Sequence, residues 1–334
     1  MQHPNRFSVV IPIFNRPEEM EELLLSLSLQ SIINFEVIVV EDGSTKPCWN
    51  VVEKYKAKLE VHYYSKPNSG PGDSRNFGVL QATSNFFIFF DSDCLIPPNY
   101  FELLTKKLAT QNIECFGGPD KSHHSFTPIQ KAISYSMTSL LTTGGMRGGS
   151  EQMIKFHPRS FNMGFSRNVF ELTKGFSRMR FGEDVDFSLR VEALGISCRL
   201  ISECYVYHKR RTDFGKFYKQ IFNSGIARIN LYINHPSSLK LTHFFPAVFV
   251  VGSLGALILL LLGYCLPFGL LLFYCAMLWV DAGFKNKSIA VGLLSVQATW
   301  VQMYAYGLGF ISSFCNRIIL KKPEFSAFDK NFYK

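Results

Sequence analysis

Short apolar runs and mixed segments alternate along the first hundred residues. Residues 7–13 (FSVVIPI), 35–40 (FEVIVV), 60–64 and 86–90 (FFIFF) are too short for helices and rich in β-branched or aromatic side chains, so they read as strands. The run at 86–90 has five consecutive apolar residues, four of them aromatic, with no polar alternation. A strand of that kind is buried on both faces, as in a parallel sheet. Between the strands, apolar positions recur at helical spacing over 18–29, 50–58 and 73–82, and the first of these helices opens with acids, as the helix dipole favours. Strand and helix therefore alternate, which predicts an α/β domain with a mostly parallel sheet and flanking helices. From 100 to 160 the pattern is less regular. Residues 142–150 (TTGGMRGGS) read as a glycine-rich loop. Arg147 would meet phosphate if that loop closes over a site; a plain surface loop is the other reading.

The pattern changes again near residue 240. Residues 244–262 are nineteen positions without a charge, 264–282 form a second apolar stretch, and 289–314 a third that is tempered by Gln297 and Gln302. Runs of this length predict helices in a membrane, two or three of them at about 244–263, 264–282 and 289–314, followed by a short basic tail. The chain thus divides into a domain over 1–235 and a membrane region over 236–334. Formal net charge is +9, with Lys209, Arg210, Arg211, Lys216 and Lys219 clustered ahead of the first apolar helix. That suits an anionic membrane surface or phosphorylated substrates and places the domain on the cytoplasmic side. No nucleic-acid-binding signature accompanies the charge, so no nucleic acid partner is expected. The stretch 214–232 interleaves aromatic residues with Lys and Arg, as a helix on the bilayer surface or one packed on the domain would. Eight scattered cysteines have no metal-binding spacing and read as thiols in a reducing compartment. No apolar run precedes the first strand, so no signal peptide is expected.

Chemistry-bearing residues gather where the strands end, which is where open α/β sheets bind ligands. Asp91-Ser92-Asp93 follows the most hydrophobic strand, and paired carboxylates there suit Mg²⁺ or Mn²⁺ held against a diphosphate. An acidic turn is the alternative. Glu41 and Asp42 end the second strand and either meet a nucleoside or cap the next helix. Asn68, Gly70 and Arg75 lie in a glycine-rich turn opening a helix, which offers N–H groups and a guanidinium to phosphate, or is an ordinary turn. Glu183-Asp184 precede a helix and either cap it or act as acid–base groups.

Pro12, Asn15 and Arg16, EDGST at 41–45, NSGPGDSRN at 68–76, DSD at 91–93, FNMGFSR at 161–167 and FGEDVD at 181–186 together resemble the family 2 glycosyltransferases, over about residues 7–210. The resemblance implies a GT-A fold (Rossmann-like) and a nucleotide-sugar donor, UDP- or GDP-linked, held by Pro12, Asn15, Arg16, Glu41, Asp42, Asn68, Gly70, Arg75, Asp91 and Ser92. It implies Asp91 and Asp93 as metal ligands, with His208 completing the set, and Asp184 beside Glu183 as the base that deprotonates an acceptor hydroxyl with inversion. The Gln-x-x-Arg-Trp motif of the family's processive synthases is missing; 220–224 read QIFNS, which implies transfer of one sugar per encounter. The expectation is an enzyme of a bacterial inner membrane acting on a lipid-linked or cell-envelope glycan. Transfer to a polyprenyl phosphate, a non-catalytic scaffold that binds nucleotide or glycan, and nucleotidyl transfer are the alternatives. Sugar, base, acceptor and oligomeric state are not legible.

Overall fold

A computed structural model describes residues 6–123, 125–143 and 156–325. The first unit, built from 6–123 and 156–209, holds β1 (Phe7–Ile13), α1 (Pro17–Ser28), β2 (Phe35–Asp42), α2 (Trp49–Tyr55), β3 (Glu60–Lys66), α3 (Pro71–Gln81) and β4 (Phe86–Phe90). It continues through β5 (Cys94–Leu95), α4 (Tyr100–Thr110), β6 (Cys115–Gly117) and β7 (Asp120–Lys121). The second unit contributes α5 (Pro128–Thr138) and α6 (Leu140–Thr143) before the chain returns to the first. There β8 (Asn162–Ser166), α7 (Arg167–Thr173), α8 (Glu183–Ala193), β9 (Cys198–Leu200) and β10 (Val206–His208) complete the fold.

Seven strands form one sheet in the order β3-β2-β1-β4-β8-β6-β9. The first four are parallel, and β8 alone runs antiparallel to both of its neighbours. This is the expected α/β class, a mostly parallel sheet with flanking helices. Its core lies on both faces: Phe7, Val9, Ile11, Val37 and Phe90 pack on one side, and Val10, Ile38, Val40, Phe87 and Phe89 on the other. All five residues of β4 are buried, because β1 and β8 cover its edges and helices its faces. A small second sheet, β5-β10-β7, sets His208 opposite Cys94, one residue from Asp93.

The second unit continues with α9 (Phe214–Asn234), α10 (Phe245–Leu261), α11 (Leu266–Asn286) and α12 (Ile289–Ser313). Among the described residues, Leu241–Leu261 and Leu266–Asn286 are long and apolar enough to cross a membrane. Helix α12 is the centre of the unit and packs against α5, α9, α10 and α11. Its packed side is mostly small residues, joined by Val291 and Phe310, and a Cβ on Gly309 would meet the Phe222 carbonyl at 2.2 Å. Phe217 and Ile221 of α9 and Ile133 and Met137 of α5 share an apolar cluster with Ala298 and Ala305 of α12. The aromatic and apolar face of α9 is therefore turned to α12.

Candidate active site

The site begins where β4 ends. Its apolar run fixes the strand, and the turn that follows (Cys94 N–H to the Asp91 carbonyl, 3.1 Å) presents Asp91 and Asp93 beyond the sheet. Arg16, just before α1, donates Nη1 to Asp93 Oδ2 at 2.7 Å, and His208 Nε2 lies 3.1 Å from Asp93 Oδ1. The Phe161 ring stacks on the His208 imidazole, centroids 4.7 Å apart, which fixes the ring plane. The Lys209 N–H also donates to the Asp93 carbonyl at 2.9 Å.

Arg75 on α3 joins this region to the start of α8. Its buried guanidinium donates Nη2 to Asp91 Oδ1 at 2.6 Å and Nη1 to Glu183 Oε1 at 3.0 Å. Gly182, at φ 86°, turns the chain into α8 so that Glu183 and Asp184 fall in its first turn. Burial first, and the Asp184 charge second, raise the Glu183 carboxyl to about 7 against the opposing pull of Arg75. Asp184 faces Arg159, whose Nη1 lies 3.3 and 3.4 Å from its two carboxylate oxygens.

The residues expected from the sequence to hold a donor are engaged with one another. Asn15, at φ 55°, accepts at Oδ1 from the N–H groups of Thr45 and Lys46 at 2.8 and 2.9 Å. Glu41 accepts from Ser44, from the Cys48 N–H at 2.8 Å and from the Tyr63 hydroxyl at 3.2 Å. Asp42 takes Lys66 Nζ at 2.5 Å and the N–H groups of Ser69 and Gly70 at 2.9 Å each. Asn68 Nδ2 donates to the Asp42 carbonyl at 2.7 Å. These side chains shape the loops beyond β2 and β3 from within, with Pro12 on β1 in register with Val40 and Ser92 buried between the two acids. Arg147 lies outside the described residues.

The carboxylates, imidazole and guanidinia of six separate segments (Arg16, Arg75, Asp91 with Asp93, Arg159, Glu183 with Asp184, and His208) are thus linked. Sequence reasoning missed Lys66 and Arg159. A lysine four residues before Gly70 carried a weak signal, since Asp42 needed a cation; nothing in the sequence pointed to Arg159.

Asp93, Cys94 and His208 each offer an atom within 4.8 Å of the others, a spacing a metal ion can bridge. Burial pushes the Cys94 thiol well up, and it donates to the Phe161 carbonyl, so it is a poor ligand for a hard cation. His208 Nδ1 is buried and makes no hydrogen bond. Carboxylate oxygens with one ring nitrogen fit Mn²⁺ or Mg²⁺; of the three expected ligands, Asp93 and His208 fall in this group, whereas Asp91 turns its Oδ1 to Arg75.

Residues 8–172 match the family described as glycosyl transferase family 2. An uncharacterized glycosyltransferase of Rickettsia felis is 32% identical over 133 residues, 40% of this chain and 21% of that protein. Poly(ribitol-phosphate) beta-N-acetylglucosaminyltransferase TarS of Staphylococcus aureus is 41% identical over 92 residues, 26% of this chain and 16% of that one. The matched stretch therefore spans about a fifth or less of these relatives. Among solved structures, the mannosyltransferase PcManGT of Pyrobaculum calidifontis, in complex with GDP-Man and Mn²⁺, superposes with a TM-score of 0.67. It is 15% identical, and the match covers 95% of this chain and 89% of that one. S. aureus TarS 1–349 in complex with UDP-GlcNAc gives 0.51 at 19% identity, over 97% and 95%. At these identities the structures speak to the fold, which is theirs. Through residues 8–172, where the strand-end loops and the paired acids lie, the chain belongs to glycosyl transferase family 2.

Proposed function

We propose that this protein is an inverting, metal-dependent glycosyltransferase that moves one sugar from a UDP- or GDP-linked donor to a hydroxyl of a membrane-proximal, lipid-linked glycan. The observation that carries the proposal is the Arg75 bridge, which ties the acids beyond β4 to the acids opening α8. A donor site and a base must adjoin for direct displacement, and Arg75 holds the two segments at one fixed spacing. The fold shared with structures bound to GDP-Man and UDP-GlcNAc supports the donor class, and the two long apolar helices support a membrane-side acceptor.

In this reading Asp184 takes the proton of the attacking hydroxyl. Arg159 Nη1, 3.3 Å from Asp184 Oδ1, must swing aside or share the carboxylate when the acceptor arrives. Glu183 and Arg75 position Asp184 from behind. The loops braced by Asn15, Glu41 and Asp42 receive the nucleoside, and Asp91, Asp93 and His208 hold the metal. A bound Mg²⁺ or Mn²⁺ supplies charge neutralisation for the leaving diphosphate.

The test is release of UDP or GDP from a panel of nucleotide sugars by the detergent-purified protein, with membrane lipid extract as acceptor source. One donor should be turned over only with Mg²⁺ or Mn²⁺. Asp91→Asn with Asp93→Asn should abolish turnover, and Asp184→Asn should lower it by about 10²–10⁴-fold. Undiminished transfer in Asp184→Asn would move the acceptor to a polyprenyl phosphate, which is already anionic. Binding of a donor without any turnover would leave a scaffold, and no donor binding would overturn the proposal.

A further inference from the structure

A second group of titratable side chains stands at the other end of the sheet. Glu36 and Glu60 are direct partners across the parallel β2–β3 pair, and His62 follows Glu60 by two residues, so all three share one face. Glu36 is the second residue of the strand whose far end carries Glu41 and Asp42, the latter six residues and about 20 Å away. This group is therefore separate from the candidate active site.

The Glu36 side chain is 1% exposed, and its two oxygens differ. Oε1 accepts from Ser8 Oγ at 2.6 Å, the Thr83 N–H at 2.8 Å and Thr83 Oγ1 at 2.7 Å. Oε2 is buried without a hydrogen-bond partner and faces His62 Nε2 at 3.7 Å. Glu60 Oε1 lies 3.5 Å from the same nitrogen, while its Oε2 pairs with Arg6. Each residue thus offers one atom to a common point, all within 4.8 Å of one another. Leaving a buried carboxylate oxygen unpartnered costs stability, so a cation at this point would repair a defect already present.

Donor set and spacing together point to a class of cation. Bonds of about 2.0–2.2 Å at tetrahedral angles set neighbouring ligand atoms about 3.3–3.5 Å apart. The two distances to His62 Nε2, 3.5 and 3.7 Å, need a contraction of only a few tenths of an ångström, and the two carboxylate oxygens lie within 4.8 Å of each other. One imidazole nitrogen with two carboxylate oxygens matches a zinc-type donor set with a fourth position left to water. Arg6, by holding the outer oxygen of Glu60, leaves the inner one aimed at His62. We propose that Glu36, Glu60 and His62 form a second divalent-metal site, of the zinc class, that fastens the edge strand β3 to β2.

The experiment uses the full chain in detergent carrying Asp91→Asn and Asp93→Asn, which disables the other metal site. After chelator treatment it is titrated with Co²⁺, whose tetrahedral complexes absorb strongly in the visible, and then with Zn²⁺ as competitor. One equivalent of Co²⁺ should bind, be displaced by Zn²⁺, and raise the melting temperature. His62→Asn and Glu60→Gln change half-exposed side chains, so both variants should fold, and each should weaken Kd at least tenfold. Glu36 is left intact because Ser8 and Thr83 depend on it. Absence of a bound equivalent, or a Kd unchanged by both substitutions, overturns the proposal.

Discussion

Arg75 is the side chain whose removal should be felt most. It is 3% exposed and divides its guanidinium between Asp91, 32% exposed, and Glu183, 10% exposed. Methionine fills a similar volume without the charge. Breaking a buried ion pair by removing one partner costs about 3–5 kcal/mol, because the other charge is left without compensation. Asp91 can turn to water, so Glu183 carries most of that penalty. Its carboxyl is already raised to about 7 with Arg75 in place, and it rises further once Arg75 is gone.

A carboxyl raised on folding contributes stability at low pH that is lost as pH climbs through its folded value. Below about 7 the wild type and Arg75→Met both hold the proton on Glu183. Above about 7 the wild type has released it and its stability no longer changes, whereas the variant continues to weaken. The cost of the substitution should therefore grow between pH 6 and pH 8 by on the order of 1 kcal/mol. At about 2–4 °C per kcal/mol, thermal melts in detergent should show a loss of roughly 6–20 °C, larger at pH 8. Adding Glu183→Gln to Arg75→Met should restore part of the loss and remove its pH dependence. A cost below about 1 kcal/mol, or a double variant no more stable than the single, would refute this account of the bridge.

Three further outcomes follow from local geometry. Asn15→Ala removes the acceptor that gathers the Thr45 and Lys46 N–H groups and should cost about 1–3 kcal/mol by thermal melt, while Asn15→Asp keeps the acceptor and should cost clearly less; equal losses would count against that role. Gly118→Ala drives a Cβ to 1.8 Å from the Cys204 carbonyl and should cost about 4 kcal/mol or more, whereas Gly195→Ala, strained only by its φ of 77°, should cost about 1 kcal/mol. Gly309→Leu should abolish the folded yield of the full chain in detergent by forcing α12 off the Phe222 backbone, and Gly252→Leu, with nothing within 4 Å, should not; a well-folded Gly309→Leu protein would contradict the close crossing.

The legible features were those dictated by neighbours in sequence. The unbroken FFIFF run specified a doubly covered strand, and Asp91 and Asp93 could be placed at its end from the direction of a parallel sheet alone. The apolar spacing after Glu183 and Asp184 was enough to put both acids at a helix start. What could not be read is how charges pair across long loops. Arg75 looked suited to phosphate, yet Asp91 and Glu183 occupy its guanidinium, and Glu183 lies far along the chain. Glu41 and Asp42 looked open to a nucleoside, yet Cys48, Tyr63, Ser69 and Gly70 supply donors that a list of motifs does not reveal. Arg159 precedes a strand that runs against its neighbours, and local pattern is blind to strand direction. The excursion of 125–143 into the second unit is likewise a matter of tertiary packing.

The reversed strand β8 decides where the chain re-enters the first unit. Because Asn162 at its start pairs with Phe90 at the end of β4, any segment entering β8 is delivered to the same place as the acids. The chain leaves the first unit after β7 and re-enters ahead of β8, and both strands are anchored by register on either side of the excursion. The excursion itself is tied down in the second unit, where Ile133 and Met137 of α5 share a cluster with Ala298 and Ala305 of α12. The pairing of Asn162 with Phe90 therefore sets where the returning chain meets the sheet, whatever path the excursion takes in between.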